Sequence, residues 1–312
     1  MTQAEGPIAV AARADTRIAA EETEAPLLTP RRLMLHRACR HGGLLIGGTM
    51  VVLVILVALF APYIVPAGPY HQDIAKRLAN PVWEVGGTWA HPFGTDRLGR
   101  DVLSRLIYGG RISLTISFVA SAIAATIGTL LGLVGGYYGG RVDAVAVYLI
   151  NVKLALPIIL VALALISLVT ASVPVLIAVL GLLTWDRYAL VSRSLAQQMR
   201  EREFVLAARA AGASDLHIIL RELLPNLINQ IIVLVTLEVA TLILIEAALS
   251  FVGLGVPPPI PSWGSMIADG RTLMFLKPHL VMIPGLTIFA VVIAINLAGD
   301  GIRDVTNPGG RA

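Results

Sequence analysis

Six apolar segments, each close to the length that crosses a bilayer, dominate this chain of 312 residues. They run from about Leu44 to Val65, Ile112 to Tyr137, Val145 to Val169, Pro174 to Ser192, Asn226 to Val252 and Leu280 to Gly299. A helix needs about 20 apolar residues to span the hydrocarbon core, so the segments predict an all-α polytopic membrane protein. Composition agrees: hydrophobic residues make up 56% and charged residues 14%, whereas about a quarter of a soluble domain is charged. The expected layout is a tail over 1–40, a first span over 41–66, a loop over 67–111, a helical core over 112–304 holding a polar loop at 200–225, and a tail over 305–312.

Arginine placement predicts orientation. Arg31, Arg32, Arg37 and Arg40 precede the first span, five arginines from Arg193 to Arg221 crowd the loop between spans four and five, and Arg303 and Arg311 follow span six. Positive residues mark cytoplasmic loops, so both termini and the 200–225 loop are expected in the cytoplasm. Lys76, Arg77, Arg97, Arg100 and Arg105 run against this pattern, but their loop is long and carries Asp73, Glu84, Asp96 and Asp101. Residues 1–29 read as a flexible tail without the apolar stretch of a signal peptide. The single cysteine, Cys39, excludes an internal disulfide and a cysteine-rich metal site. The net charge of +4 comes without a basic block interleaved with aromatics, so nothing points to nucleic acid.

Within the apolar runs, Pro157 is expected to kink span three. Gly128, Gly132 and Gly136 recur at four-residue intervals along one face of span two, which lets another helix approach closely; Gly43 and Gly47 repeat the device in span one.

The segment 203–225 is the most informative polar stretch. Glu201 and Glu203 stand where a helix N-terminus favours negative charge. Ala207, Ala208, Ala210 and Ala211 favour helix and leave room for a partner, and Gly212 suits a left-handed cap. Ser214 is placed to cap a second helix, with Leu216, Ile219, Leu220 and Leu223 at helical spacing and Pro225 opening the next element. Such a helix-break-helix suits insertion into a groove of another protein; it equally suits an amphipathic hairpin on the membrane surface.

Chemistry is sparse. There is no Gly-x-x-x-x-Gly-Lys-Ser/Thr, Gly-x-Gly-x-x-Gly, His-Glu-x-x-His or Gly-x-Ser-x-Gly, and the six histidines lack metal-ligand spacing. No catalytic residue, metal site or cofactor is therefore expected in the chain itself. Ionisable groups inside spans are costly and count as functional candidates: Lys153 in span three, and Glu238 and Glu246 in span five, either line a polar translocation path or pair with neighbouring helices. Asp300, Arg303 and Asp304 share a face at the end of span six, as a local ion pair or a secondary contact with a partner. The proline-rich loop 253–278 carries Trp263 and Arg271, which fit either a protein-protein anchor or an interfacial membrane anchor.

Ala207-Ala208, Gly212 and Leu224-Pro225 match the spacing of the cytoplasmic coupling loop of ABC importer permeases, Glu-Ala-Ala, three residues, Gly, nine residues, Ile-x-Leu-Pro. Leu206 and Glu222 depart from it, standing where the pattern has Glu and Ile; Glu203 lies one turn before the missing Glu. Three further stretches and the segment from His91 (His-Pro-Phe-Gly-Thr-Asp-Arg-Leu-Gly-Arg-Asp) resemble the dipeptide/oligopeptide-type permease subunits in the same order. The three are Ala247-Ala-Leu-Ser-Phe-Val-Gly-Leu-Gly, Pro261-Ser-Trp-Gly and Asn296-Leu-Ala-Gly-Asp-Gly-Ile-Arg-Asp-Val-Thr-Asn-Pro. Together they cover roughly residues 40 to 310.

The resemblance implies a five-helix permease core in spans two to six, in a bacterial inner-membrane importer. It implies a homologous second permease, two ATPase subunits that carry ATP and Mg, and an extracytoplasmic solute-binding protein. Coupling to the ATPase then falls to Glu203, Phe204, Ala207, Ala208, Gly212 and Asp215, and docking of the binding protein to the face with Trp263 and Arg271. Relatives of this type carry dipeptides, longer peptides, glutathione, nickel complexes or sugars. A secondary transporter or channel using the buried Lys and Glu residues, or a membrane scaffold, are the competing classes.

Overall fold

The computed structural model describes residues 38–65 and 68–306; most of the tail expected over 1–40, and residues 307–312, lie outside them. The described residues are helical, apart from loops and one isolated bridge between Thr95 and Asp101.

Helix α1 spans Gly42–Leu59. His41 caps it: Nδ1 accepts from the Leu44 N–H at 3.1 Å, leaving Nε2 to donate to the Asp304 carboxylate, also at 3.1 Å. This contact joins the start of the first span to the end of the last, and gives Asp304 a partner far away in sequence. A short α2, Ala61–Ile64, follows.

Helix α3 runs over Val102–Tyr138, beginning ten residues before the expected Ile112. Its 37 residues reach about 55 Å at 1.5 Å per residue, so it projects beyond a bilayer. Hydropathy underestimates its start because Arg105 and Arg111 interrupt the apolar run, while Asp101 supplies the N-cap, accepting from the Ser104 N–H at 2.7 Å.

Span three is broken rather than kinked. Helix α4, Gly140–Leu154, and helix α5, Ile158–Leu168, meet at 83°. Pro157 disfavours helical backbone at Leu156 and starts a new helix instead of bending an old one. Helices α6, Val173–Leu183, and α7, Asp186–Met199, together make a span with a shallow interruption. After α8, Glu203–Ala210, helix α9 extends over Asp215–Val252. Pro225 opens the α-helical part of α9, Leu224–Val252, as expected, but without a break in the rod: it directly follows a π-helical turn at Ile218–Leu223, whose wider winding accommodates a residue that lacks an N–H and crowds the preceding carbonyl. The turn also shifts the buried face to Ile218, Ile219, Leu223 and Leu227, leaving Leu216 and Leu220 exposed. Helix α10, Trp263–Gly270, carries a capping box between Ser262 and Ser265. Helix α11, His279–Thr306, runs seven residues past the expected Gly299.

Five rods (α1, α3, α6–α7, α9, α11) are long and apolar enough to cross a membrane, and the bent α4–α5 pair is apolar enough for a broken sixth span or a re-entrant loop. Close packing follows the glycines. A Cβ on Gly128, Gly132 or Gly136 would strike the backbone of α7 at Trp185, Ala189 and Arg193, and one on Gly47 would strike α11 at Ala294 and Ala298. Outward residues such as Leu53, Leu286 and Phe289 remain exposed, as a lipid-facing surface requires.

Candidate functional site: a coupling loop and a charged mid-span cavity

The loop after α7 ends α8 in a Schellman motif. The Ala213 N–H donates to the Ala208 carbonyl and the Gly212 N–H to the Arg209 carbonyl, both at 3.0 Å. Gly212 takes φ +81°, with nothing near the position a Cβ would occupy; the backbone conformation alone calls for glycine. Ser214 then caps the start of α9, accepting from the His217 N–H at 3.4 Å.

Val205, fully buried among Leu133, Tyr137, Ala196, Ile218 and Leu223, pins α8 to the bundle. The opposite side stays open: Glu203, Phe204, Ala207, Gly212 and Asp215 are exposed, and Ala208 is half-buried against the same core. Five of the six residues expected to couple thus share an accessible surface.

Two residues missed from sequence complete the loop. The Tyr137 hydroxyl donates to Asp215 Oδ1 at 2.6 Å and accepts from Arg209 at 3.2 Å, while the Arg209 guanidinium lies 5.5 Å from the Tyr137 ring centre. Proximity to the phenol holds the Arg209 guanidinium more firmly protonated than usual. An open depression of about 400 Å³ lies beside this cluster, bordered by Tyr138, Arg200, Glu201 and Leu206. The only signal in the sequence was a tyrosine pair ending a glycine-striped helix.

At mid-span, Lys153 pairs with Asp186, and Arg187 donates to Glu238 at 2.7 Å. These groups line a cavity of about 230 Å³ with Leu156, Thr184 and Thr241, beside the α4–α5 break. Lys153 and Glu238, expected either to line a path or to pair with neighbouring helices, come together here, each with a partner of opposite charge. The adjacent charges Asp186-Arg187, visible in the sequence as an interruption of span four, supply their counterions.

Glu246 does not join them. It is fully buried, accepts from Ser113 Oγ at 3.1 Å and Ser250 Oγ at 2.7 Å, and is absent from the cavity wall. Ser113 also accepts from the Trp263 N–H at 3.2 Å, so this carboxyl joins α3, α9 and α10 as an architectural node.

Trp263 likewise departs from expectation. It is only 2% exposed, its indole N–H donates to the Leu106 carbonyl at 3.0 Å, and Gly110 makes room for its ring. A buried indole offers no surface to a docking protein or to lipid headgroups. Arg271 is exposed, stacking 5.6 Å from the Phe251 ring centre and donating to the Phe251 carbonyl. Exposed aromatics in the neighbouring loops include Trp83, Trp89 and Phe275.

The segment from His91 forms a rigid clasp at the start of α3. Asp96 Oδ1 accepts from the N–H groups of Leu98 and Arg100 at 2.8 and 3.0 Å, and Oδ2 receives Arg100 at 2.7 Å and Arg105 at 2.5 Å. Both arginines also reach Asp269 on α10, at 3.3 and 3.2 Å. Burial pushes the Asp96 carboxyl up, but the backbone donors and the Arg105 and Arg100 guanidinium groups outweigh it and hold it below its usual range. Among the described residues, no group of three His, Cys, Asp or Glu side chains is placed to hold a metal.

Residues 124–311 match the family of binding-protein-dependent transport system inner membrane components, and residues 29–81 match the N-terminal TM domain of oligopeptide transport permease C. The dipeptide transport system permease protein DppC of Haemophilus influenzae is 37% identical over 86% of this chain and 91% of its own. The glutathione transport system permease protein GsiD of Escherichia coli O1:K1 is 37% identical over 90% of this chain and 91% of its own. A putative peptide transport system permease protein of Brucella abortus is 38% identical over 90% and 91%. The fold is shared with a chain of the inward-facing MetNI methionine ABC transporter, at TM-score 0.54 and 18% identity, covering 64% of this chain and 96% of that one. With the family's inner-membrane domain over most of its helical core, the chain belongs to the binding-protein-dependent transport system permeases of the inner membrane, as a multi-pass permease subunit of an ABC importer.

Proposed function

We propose that this permease forms half of a pathway for di- or oligopeptides and pairs with a homologous second permease, two cytoplasmic ATPase subunits and an extracytoplasmic binding protein. Both termini and the α8 loop then face the cytoplasm, with the bent α4–α5 pair as a sixth crossing and the arginines at 200, 202 and 209 favouring that side. The observation that carries the reading is the α8 loop. It leaves Glu203, Phe204 and Ala207 exposed on a core-anchored helix, with Gly212 and Asp215 exposed at the break that follows, a shape that fits a cleft in a motor subunit.

In this reading, nucleotide-driven closure of the ATPase pair displaces α8, and the buried Val205 together with the Tyr137–Asp215 hydrogen bond passes the displacement to α3 and α9. The loop does work only insofar as its contact energy differs between the two ATPase states. Lys153 and Glu238 line the path, and Arg271 with the exposed Trp83 and Trp89 faces the binding protein. ATP and Mg reside on the partner subunits.

Relatives named for dipeptide, peptide and glutathione transport support a peptide-like cargo; glutathione, itself a tripeptide, is the second reading. The test is uptake into proteoliposomes by the assembled complex, with labelled di- and oligopeptides and glutathione, binding protein outside and ATP inside. ATP-dependent accumulation of peptide supports the proposal. Accumulation without ATP overturns the importer mechanism, and ATP-driven uptake of glutathione alone reassigns the cargo.

A further inference from the structure

The mid-span cavity combines features that ordinary packing does not call for. Arg187 lies within the α6–α7 span, five residues before the apolar stretch ends at Ser192, yet its side chain is 59% exposed while paired with Glu238. An ion pair facing hydrocarbon there would be costly, so this wall meets water or protein rather than lipid.

Around it, the two cations Lys153 and Arg187 balance the two anions Asp186 and Glu238, and the Thr184 and Thr241 hydroxyls add polar lining. Three helix ends converge here. Lys153 occupies the last turn of α4, Asp186 the first turn of α7, and Pro157 opens α5. The α4 carbonyl end favours a cation and the α7 amide end an anion. Each charge therefore already has a local counterion, and the cluster as a whole is neutral.

We infer that this cluster is a transit site for zwitterionic cargo, in which a free α-amino group exchanges onto Glu238 and Asp186 while a free α-carboxylate exchanges onto Arg187 and Lys153. The inference rests on the peptide-importer reading and deepens it. Exchange of partner for partner avoids stranding any charge in a poorly solvated space. Because the protein's own ion pairs re-form on departure, occupancy stays weak enough for release. A site of one sign would retain cargo; an apolar one would reject charged termini.

The test uses the assembled complex in nanodiscs, without nucleotide or binding protein, so that added peptide reaches the cavity directly. Cys39→Ser with Thr241→Cys leaves this subunit one thiol, on the cavity wall, probed with a charged methanethiosulfonate against the background of the complex carrying Cys39→Ser alone. The inference expects modification from water, slowed several-fold by millimolar glycyl-leucine but not by its N-acetyl, C-amide derivative, and protection lost in Arg187→Gln. Equal protection by both peptides, or by neither, overturns it, as does a thiol that never reacts. ATP-dependent peptide uptake by the wild-type complex is measured alongside; its presence in those cases shows that only the transit site has failed, whereas its absence sinks the importer reading.

Discussion

The Tyr137 hydroxyl and the Asp215 carboxylate, 2.6 Å apart, join the last turn of α3 to the first turn of α9. No other hydrogen bond described between these two helices lies so close to the α8 loop, and Arg209 reaches the same hydroxyl from α8 itself. The phenol is thus shared by three elements that must move together if the loop drives the bundle.

Tyr137→Phe removes that shared point while keeping the ring in its apolar setting. The lost hydrogen bond is worth about 1 kcal/mol, too little to unfold the subunit. The expected outcome is an intact complex whose ATP hydrolysed per peptide moved rises several-fold. Unchanged stoichiometry would show that Val205 packing alone carries the motion.

At Gly212 the backbone sits at φ +81° in open space. Proline, locked near −65°, should abolish uptake with subunit assembly retained, whereas asparagine, which tolerates left-handed geometry, should keep most of it. Ala207→Glu, on the exposed side of α8, should block ATPase docking without disturbing the core that Ala208 touches. Co-purification of the ATPase with each variant separates the two effects.

Gly132 packs against the α7 backbone, whereas Gly285 on α11 has nothing within 4 Å of a built Cβ. Gly132→Val should overpack the α3–α7 interface and cost about 1–3 kcal/mol or more. Gly285→Ala should be neutral or slightly stabilising, since alanine favours helix by up to about 1 kcal/mol. Thermal unfolding in detergent reads both.

Removing one member of the Lys153–Asp186 pair strands its partner's charge at mid-span. Lys153→Met or Asp186→Leu alone should destabilise by about 3 kcal/mol, and the double variant by much less. Transport by the stable double variant should still fall, because the cavity has lost half its charges.

The Asp96 clasp predicts a pH dependence. Its folded carboxyl titrates below the ordinary value of 3.8, so the stabilisation it provides is complete above that value and is lost as pH falls through the lower, folded one. Stability should therefore be insensitive to this group between about pH 5 and 7. Asp96→Asn should cost about 3 kcal/mol at neutral pH by leaving Arg100 and Arg105 under-neutralised, and should weaken the acid-side loss below pH 4. A pH series of detergent melts on the two proteins checks both.

Much of the architecture was legible in the residues themselves. Apolar length set the crossings, because hydrocarbon selects long apolar helices. The Gly128, Gly132 and Gly136 spacing marked a close helix contact, because four-residue intervals stay on one face. The cap at Gly212 and the N-cap at Ser214 could be read because local backbone chemistry decides them. What only the tertiary structure decided depends on residues distant in the chain. Whether Trp263 is exposed turns on Gly110 and Leu106, more than 150 positions away. Whether Glu246 lines a path or ties helices together turns on Ser113, and Lys153 and Glu238 become a cavity only where α7 inserts Asp186 and Arg187 between them. Periodicity and capping act over a few residues and so can be read along the chain; burial and charge pairing depend on which faces meet, which only the packed bundle decides.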